Sequence, residues 1–277
     1  MTATTRGNRL GLGVLSWHGY ETLEASLKTY PASGFLDLFD ERVIFFPEIT
    51  DQGCVLAARF GFEAKGQPQN KGIMDGFRGL ANAMQSDTVV MVENDCPLIE
   101  SCEEAAKQIA TAQHLIENGS AQVVRLRSRR DPGEAFDTAD KYMRLYPPTT
   151  AHGIDQLKAG VLRRLRPGKA RKLIGTSVYV EAEPAQKFPG TITDAGSGFY
   201  LAPTDAITWT NQSIMIDRRF FLDNIIARAE NVTGRRTVNG FKNLEIELND
   251  HWWRSRPWTV AIAPGLFTHR RLGTRGY

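Results

Sequence analysis

The stretch Thr88-Val89-Val90-Met91-Val92-Glu93-Asn94-Asp95 decides how this chain of 277 residues is interpreted. After Thr88, four apolar residues follow in succession, which is typical of a strand buried on both faces of a sheet. Two carboxylates come next, at positions 93 and 95. Burying both acids unpaired would cost much free energy, and a divalent cation offsets that cost. Carboxylate oxygens suit Mg²⁺ or Mn²⁺, which also hold substrate phosphates in proteins.

A simpler interpretation is that these acids only cap the next helix. The sequence predicts a helix from about Leu98 to Asn118, which Asp95 would cap, with Pro97 at its start. The stretch alone leaves both interpretations open. The cation site is favoured because similar polar clusters follow two other predicted strands.

Strands and helices alternate through the first half of the chain. Strands are predicted at 10–15, 42–46, 88–92 and 121–126, and helices at 20–30, 52–60, 72–84 and 98–118. This order predicts an α/β fold with a mostly parallel central sheet flanked by helices. Ser16-Trp17-His18 follows the first strand, and Glu48 follows the second, just past Pro47. Ligands bind at the carboxyl ends of such strands, so we expect these side chains near Glu93 and Asp95.

The second half of the chain has a less regular pattern. Strands are predicted at 176–181, 213–216, 258–263 and 266–268, helices at 154–165, 218–228 and 241–252, and a flexible loop at 194–198. No clear linker separates the halves. We therefore expect a single domain over 1–277, with a ligand-binding half at about 10–125 and a less regular half at about 126–277.

Composition is that of an ordinary folded protein, with 42% hydrophobic and 23% charged residues. Cys54, Cys96 and Cys102 have no metal-type spacing, and we expect them to be reduced thiols. The polar N-terminus does not resemble a signal peptide, and no apolar run is long enough for a transmembrane helix. These features predict a cytoplasmic protein.

Positive charge is concentrated in one part of the chain. The whole chain carries +3, but residues 125–172 hold 13 Lys and Arg against 5 Asp and Glu, a net charge of +8. A solvated helix end is the simpler explanation. The other is a surface for an anionic acceptor or an acidic lipid membrane. Nucleic acid is not expected, because no helix-turn-helix or aromatic stacking platform is present.

Three motifs together resemble one known family, the GT-A-fold glycosyltransferases. Residues 11–17, Gly-Leu-Gly-Val-Leu-Ser-Trp, are similar to its opening strand, and Asn70-Lys71-Gly72-Ile73 is similar to its Asn-x-Gly-Ile element. Glu93-Asn94-Asp95 stands where the family has its metal-binding Asp-x-Asp, with glutamate as the first acid. The resemblance covers residues 10 to 100 and becomes loose afterwards.

The resemblance implies a GT-A-like nucleotide-binding fold and a metal-dependent transfer of a sugar from a nucleotide sugar. UDP-sugar is the default donor and GDP-sugar the second, and residues 126–277 would form the acceptor side. Mn²⁺ or Mg²⁺ would be held by Glu93, Asp95 and His269, with His251 competing for the last position. Glu245 is the candidate catalytic base, with Glu247 as the alternative, two residues along and so on another face of the helix. The expected nucleotide-sugar-binding residues are Ser16, Trp17, His18, Glu48, Lys71, Arg78 and Asn94.

The same residues also bear on other function classes. A nucleotidyltransferase would carry a glycine-rich phosphate loop after the first strand, which Ser16-Trp17-His18-Gly19 does not resemble. A non-catalytic nucleotide-binding or scaffold protein stays open, because the first acid departs from the family. A dinucleotide oxidoreductase is disfavoured, since no Gly-x-Gly-x-x-Gly follows a strand.

Overall fold

The computed structural model describes residues 8–31, 33–134, 136–232, 237 and 240–272. A nine-stranded sheet runs through this part of the chain in the order β3-β2-β1-β4-β8-β5-β9-β7-β6. The strands are β1 (Leu10–Leu15), β2 (Glu41–Phe46), β3 (Glu63–Gly66), β4 (Thr88–Glu93), β5 (Val123–Arg127), β6 (Thr193–Gly196), β7 (Phe199–Pro203), β8 (Ile214–Asp217) and β9 (Thr259–Phe267).

Helices cover both faces of the sheet. They are α1 (Tyr20–Leu27), α2 (Asp51–Arg59), α3 (Ile73–Ala83), α4 (Cys102–Glu117), α5 (Asp137–Leu145), α6 (Gly153–Leu165), α7 (Pro167–Arg171), α8 (Pro184–Lys187), α9 (Arg218–Phe220), α10 (Ala227–Asn231), α11 (Leu244–Leu248) and α12 (His251–Arg254). Leu36–Leu38 and Ile174–Tyr179 form 3₁₀ helices, and Phe221–Ile226 is a π-helical segment between α9 and α10. The predicted α/β class, with helices flanking a large central sheet, is confirmed.

The first four strands form the parallel part of the sheet and set the position of the site. β1 lies between β2 and β4 and is parallel to both. In this register Leu15 is the partner of Phe45 on one side and of Glu93 on the other. The carboxyl ends of these strands therefore lie at one edge, where the sequence places its polar clusters.

The other half of the sheet is mixed. β8 lies between β4 and β5 and is antiparallel to both, while β5 and β9 are parallel. β7 is antiparallel to β6 and β9, so β7 and β8 run against the remaining strands described. Residues 213–216 do predict β8, but an apolar run does not specify the direction of a strand.

Two predicted elements of the second half have a different structure. Residues 176–181 lie largely in the 3₁₀ helix Ile174–Tyr179 and not in a strand. A Cβ at Gly175 would be only 2.7 Å from Cβ of Ile207, so packing against this neighbour overrides the local β propensity. Residues 194–198, predicted as a flexible loop, form most of β6 and the turn of the β6–β7 hairpin, with Gly196, Ser197 and Gly198 all at positive φ.

Two other predictions divide the chain at the wrong places. The helix expected at 241–252 is split into α11 and α12, because the Asp250 side chain accepts hydrogen bonds from the amides of Trp252 and Trp253 and begins a new helix. The two closing strands form one strand, β9. Gly265 at φ 98 lets β9 pass closely over the Arg127 carbonyl, where the β5–β9 register shifts.

The two faces of β1 show how the core is built. Leu12 and Val14 are buried in the apolar cluster on the α1–α4 side of the sheet. On the other face, Gly13 leaves room for α3, since a Cβ there would lie 2.8 Å from Sδ of Met84. Full burial of one such leucine contributes about 1.5–3 kcal/mol, so this packing fixes the strand tip above it.

The three cysteines and the lengths of the helices bear on two further expectations. Cys54, Cys96 and Cys102 are free thiols, as the sequence predicts. Within the described ranges, none of the helices has the length and apolar character needed to cross a lipid bilayer.

Candidate functional site

A cavity of about 420 Å³ opens where β1 and β4 end. Its walls come from the tips of β1 and β4, the start of α3, the loop before β8, the segment that begins α11 and the residues that follow β9. The lining residues are Leu15, Trp17, Pro47, Asn70, Gly72, Ile73, Glu93, Asn94, Asn211, Gln212, Phe241, Lys242, Asn243, Glu245, His269 and Arg271. Residues from both halves of the sequence therefore share one site.

The tip of β1 presents Trp17 to the cavity. Trp17 Nε1 donates to Glu48 Oε2 at 3.3 Å, and His18 Nε2 lies 3.6 Å from the same oxygen. The Ser16 hydroxyl is buried and donates to the His18 carbonyl. Asn94 lines the cavity and its amide donates to that same carbonyl at 3.5 Å. Ser16, His18 and Glu48 thus orient Trp17 without lining the cavity themselves.

The turn before α3 forms a second wall. Asn70 Oδ1 accepts a hydrogen bond from the Gly72 amide at 2.8 Å, and Gly72 has a φ of 91°. A Cβ on Gly72 would collide with Cβ of Phe241, which forms the facing wall. Only glycine satisfies both the backbone conformation and the close approach.

Gly72→Ala should lower the free energy of unfolding by more than the usual cost of a positive φ. Gly61→Ala is a matched control, because Gly61 has a φ of 74° and open space around it. Strain at positive φ alone costs about 1–3 kcal/mol, and the Phe241 collision adds to it at position 72. Urea unfolding of both variants measures the difference. Equal losses of unfolding free energy in the two variants would show that Phe241 moves aside at no cost.

Two predicted ligand-binding cations lie outside this lining. Lys71 is exposed, although its neighbours Asn70 and Gly72 line the cavity. The Arg78 guanidinium pairs with Asp75 and lies 2.7 Å from Glu230 Oε1. The structure therefore does not bring Arg78 to the cavity, because two acids hold it on the α3 surface.

Asp95 is the most buried of the predicted site residues, with no exposed side-chain surface. Its Oδ2 accepts hydrogen bonds from His269 Nε2 at 3.0 Å and from Arg271 Nη2 at 2.6 Å. Burial by itself raises the pKa of Asp95, but these two partners bring it below its ordinary value. The hydrogen bond to Asp95 raises the pKa of His269, whose Nδ1 also lies 3.1 Å from the Glu134 carbonyl oxygen. Both ring nitrogens of His269 therefore lie within hydrogen-bonding distance of an oxygen acceptor, which favours the protonated form of the ring.

The capping interpretation of Asp95 is wrong. The helix expected to begin near Leu98 begins at Cys102, and its N-cap is Ser101, whose hydroxyl accepts from the Glu104 amide at 3.2 Å. Asp95 instead turns into the protein toward the residues after β9. Its burial therefore serves the site and not the start of α4.

Glu93 lies at the cavity wall, near the basic side chains of His269 and Arg271. It accepts no hydrogen bond from the described part of the chain and lines the cavity beside Glu245. Burial raises its pKa to about 8, and the negative charges of Asp95 and Glu245 add to that effect. Three acids, Glu93, Asp95 and Glu245, thus lie at one end of the cavity together with the basic side chains of His269 and Arg271.

The fit of a divalent cation follows from these contacts. Asp95 Oδ2 and His269 Nε2 are hydrogen-bonded to each other at 3.0 Å, so a cation held by both would have to replace this contact. In the described ranges, however, no three His, Cys, Asp or Glu side chains converge as a ready ligand set. Arg271 bonds to the oxygen that a cation would take. The carboxylate oxygens of Asp95 and Glu93 suit a hard cation. For that cation to bind, Arg271 would have to release Asp95, and the Glu93 carboxylate would have to move toward Asp95.

The two candidate catalytic bases, Glu245 and Glu247, have different surroundings, as expected for residues two apart on a helix. Glu245 lines the cavity, and its Oε1 accepts from the Thr210 hydroxyl at 2.9 Å and the Asn211 amide at 3.2 Å. Glu247 is buried outside the lining, and its Oε1 has no hydrogen-bond partner among the described residues. Only Glu245 can therefore reach a molecule in the cavity.

His251 and the adjacent tryptophans lie away from the site. His251 is exposed at the start of α12, so His269 is the histidine that the fold brings to Asp95. Trp253 is buried in the core and donates to the Ile207 carbonyl at 2.8 Å. Trp252 packs edge-on against Trp258.

Sequence reasoning missed several lining residues. Arg271 lines the cavity beside His269. Because His269 is a predicted site residue, the arginine two positions later in sequence could have been expected at the same site. Asn211 and Gln212 come from the loop before β8, where no motif marks them. Lys242 also lines the cavity, but its ammonium is held by the Glu230 and Val232 carbonyl oxygens at 2.8 and 2.6 Å. Arg271 is thus the missed residue of most consequence.

Known structures of glycosyltransferases resemble this one at low sequence identity. Glucosyl-3-phosphoglycerate synthase from Mycobacterium tuberculosis, in complex with Mn²⁺, UDP and phosphoglyceric acid, matches with a TM-score of 0.52 and 14% identity, over 96% of this chain and 72% of that one. Its complex with Mg²⁺ and UDP matches with a TM-score of 0.51 and 14% identity, over 96% and 73%.

A mannosyltransferase is also similar. PcManGT from Pyrobaculum calidifontis, in complex with GDP-Man and Mn²⁺, matches with a TM-score of 0.50 and 10% identity, over 97% of this chain and 58% of that one. No protein-family model and no curated protein sequence matches the chain. Likeness at such identities carries information about architecture only. On that basis, the protein has the α/β fold of the GT-A glycosyltransferases.

Proposed function

We propose that the protein is a metal-dependent glycosyltransferase that moves a sugar from a nucleotide-sugar donor to an acceptor hydroxyl or amine. One observation carries the proposal. A single cavity on this fold joins an aromatic side chain, Trp17, a cluster of acids with a histidine, and a separate carboxylate, Glu245. Its volume of about 420 Å³ lies in the range of small-molecule sites.

The donor is proposed to be a UDP-sugar, with a GDP-sugar second. The similar structures hold UDP or GDP-Man together with Mn²⁺ or Mg²⁺, which supports a nucleotide and a divalent cation here. Trp17, held by Glu48, would stack on the base. Glu93, Asp95 and His269 would hold the cation, and Arg271, once released from Asp95, would face the diphosphate.

The chemistry follows from where charge appears. As the bond between sugar and phosphate breaks, negative charge grows on the nucleoside diphosphate, and a divalent cation held by Glu93, Asp95 and His269 would supply the positive charge to neutralise it. In an inverting reaction Glu245 accepts the proton of the acceptor while the Thr210 hydroxyl and the Asn211 amide hold its carboxylate in place. Asp95 and His269 hold each other and so keep the acidic end of the cavity ordered.

Release of UDP from a panel of UDP-sugars tests this proposal. With Mn²⁺ present, water can replace the unknown acceptor, and we expect UDP release above the uncatalysed background. Release of pyrophosphate from nucleoside triphosphates would instead support a nucleotidyltransferase.

One observation favours a second candidate, a non-catalytic nucleotide-binding protein. Arg271 neutralises Asp95 in the way that a cation would, and the first acid is glutamate where the family has aspartate. Such a protein would bind UDP with no dependence on Mn²⁺ and would release no UDP from any UDP-sugar or GDP from any GDP-sugar. That combination of results would select this candidate over the enzyme.

A further inference from the structure

Helix α6 (Gly153–Leu165) exposes large apolar side chains on the surface. Ile154, Leu157, Val161 and Leu165 are 67%, 72%, 51% and 73% exposed, respectively. Single exposed apolar residues are normal on a protein surface, but four of them on one helix need an explanation. In α6 only Ala159 is buried.

The four side chains form one stripe. Leu157, Val161 and Leu165 follow each other at intervals of four residues, and Ile154 precedes Leu157 by three, so all four lie on one side of the helix. Ala159 is two residues from both Leu157 and Val161, which places it about 200° around the helix from each. The helix thus packs on the protein through Ala159 and turns the apolar stripe away from it.

Positive charge borders this stripe. From Gly153 to Lys172 the chain holds seven Lys and Arg against the single acid Asp155, a net charge of +6. Arg163 and Arg171 are engaged, by the Leu145 carbonyl and by Asp205. Lys158, Arg164, Arg166 and Lys169 form no side-chain hydrogen bond or ion pair with any described residue.

Lys158 and Arg164 flank the stripe on opposite sides. Lys158 is one residue after Leu157 and Arg164 three residues after Val161, so at 3.6 residues per turn they border its two edges. An apolar stripe edged by cations is the pattern of a helix that lies in the interface of a bilayer, its apolar side chains among the acyl chains and its cations at the headgroups. Long basic side chains reach the headgroups from such a position.

We propose that α6 docks the protein on the surface of a membrane that contains anionic lipid. A second copy of this chain is the less suitable occupant, because a symmetric interface would bring two clusters with the same positive charge together. Anionic headgroups instead supply the opposite charge, and the acyl region accepts the apolar stripe. The inference does not rest on the proposed enzymatic activity, because it uses no residue of the cavity.

Vesicle co-sedimentation of the full chain tests the proposal. Wild-type protein should sediment with phosphatidylcholine vesicles that contain phosphatidylserine and should stay largely in solution with phosphatidylcholine alone. The double variant Leu157→Gln with Val161→Gln should lose most of the bound fraction, because it removes the centre of the stripe. Val55→Gln is the matched control, since Val55 is 70% exposed on α2, and this variant should bind as wild type.

A second pair of substitutions tests the basic side chains that flank the stripe. Lys158→Gln with Arg164→Gln should reduce binding to the anionic vesicles about tenfold or more, and added salt should weaken wild-type binding in the same direction. Thermal unfolding and UDP binding should match wild type in all variants. Wild-type sedimentation no greater than that of the double stripe variant would overturn the proposal. So would a wild-type dimer in analytical ultracentrifugation that the stripe variant dissociates, without vesicle binding.

Discussion

Glu245→Gln should slow UDP release from a UDP-sugar by about 10²–10⁴-fold while leaving UDP binding unchanged. The amide keeps an oxygen that can accept from the Thr210 hydroxyl and the Asn211 amide, so the loop before β8 should stay in place. It cannot accept a proton from water or an acceptor. Turnover by an inverting enzyme should therefore fall, and donor affinity should not.

Glu247→Gln is the matched control on the same helix. Glu247 is buried outside the cavity lining, so its amide variant removes a charge of the same kind without touching a bound molecule. Its turnover should stay within a few-fold of wild type. If Glu245→Gln turns over at the wild-type rate, Glu245 is not the base; if both variants lose activity and UDP binding together, the loss reflects folding.

A second large effect is expected for Asp95→Ala, which should abolish the Mn²⁺ dependence of UDP binding. The substitution removes the oxygen that lies 3.0 Å from His269 Nε2 and 2.6 Å from Arg271 Nη2. Loss of a cation ligand and of this orientation should weaken Mn²⁺-dependent binding by at least about 10–100-fold, the range seen for residues that support a metal site. Isothermal titration of UDP with and without Mn²⁺ measures the change.

Asp95→Ala also leaves the side chains of His269 and Arg271 without their acid, which destabilises a fold. Glu93→Gln avoids this problem, because the Glu93 carboxylate accepts no hydrogen bond within the described structure and is repelled by Asp95 and Glu245. It should leave thermal stability in EDTA equal to or above that of wild type and still reduce the Mn²⁺ dependence. Unchanged Mn²⁺ dependence in Glu93→Gln would remove Glu93 from the proposed ligands.

The polar clusters after β1, β2 and β4 could be located from sequence for a physical reason. Apolar runs mark buried strands, and parallel strands end at one edge of the sheet, so Trp17, Glu93 and Asp95 had to lie near each other. The direction of β8 could not be predicted, because antiparallel and parallel buried strands have the same apolar composition. Its insertion between β4 and β5 places Asn211 and Gln212 at the cavity.

Arg78 and Arg271 show the limits of reading side chains in isolation. Arg78 follows Asp75 by three residues on one helix face, and this spacing was a signal for an ion pair in place of a phosphate contact. Arg271 reaches Asp95 across 176 positions of sequence, and the local sign of this contact was its place two residues after His269. Conversely, Glu245 and Glu247 could be separated from sequence, because residues two apart on a helix lie about 200° from each other.

The central claim is that this cavity binds a nucleoside diphosphate together with a divalent cation, and calorimetry of UDP binding to EDTA-treated wild-type protein tests it most directly. We expect weak binding in EDTA and a gain of at least about tenfold in affinity when Mn²⁺ is restored, since a cation held by Glu93, Asp95 and His269 would offset the charge of the diphosphate. Equal affinity in EDTA and in Mn²⁺ would contradict the claim and would indicate that Arg271 stays bonded to Asp95.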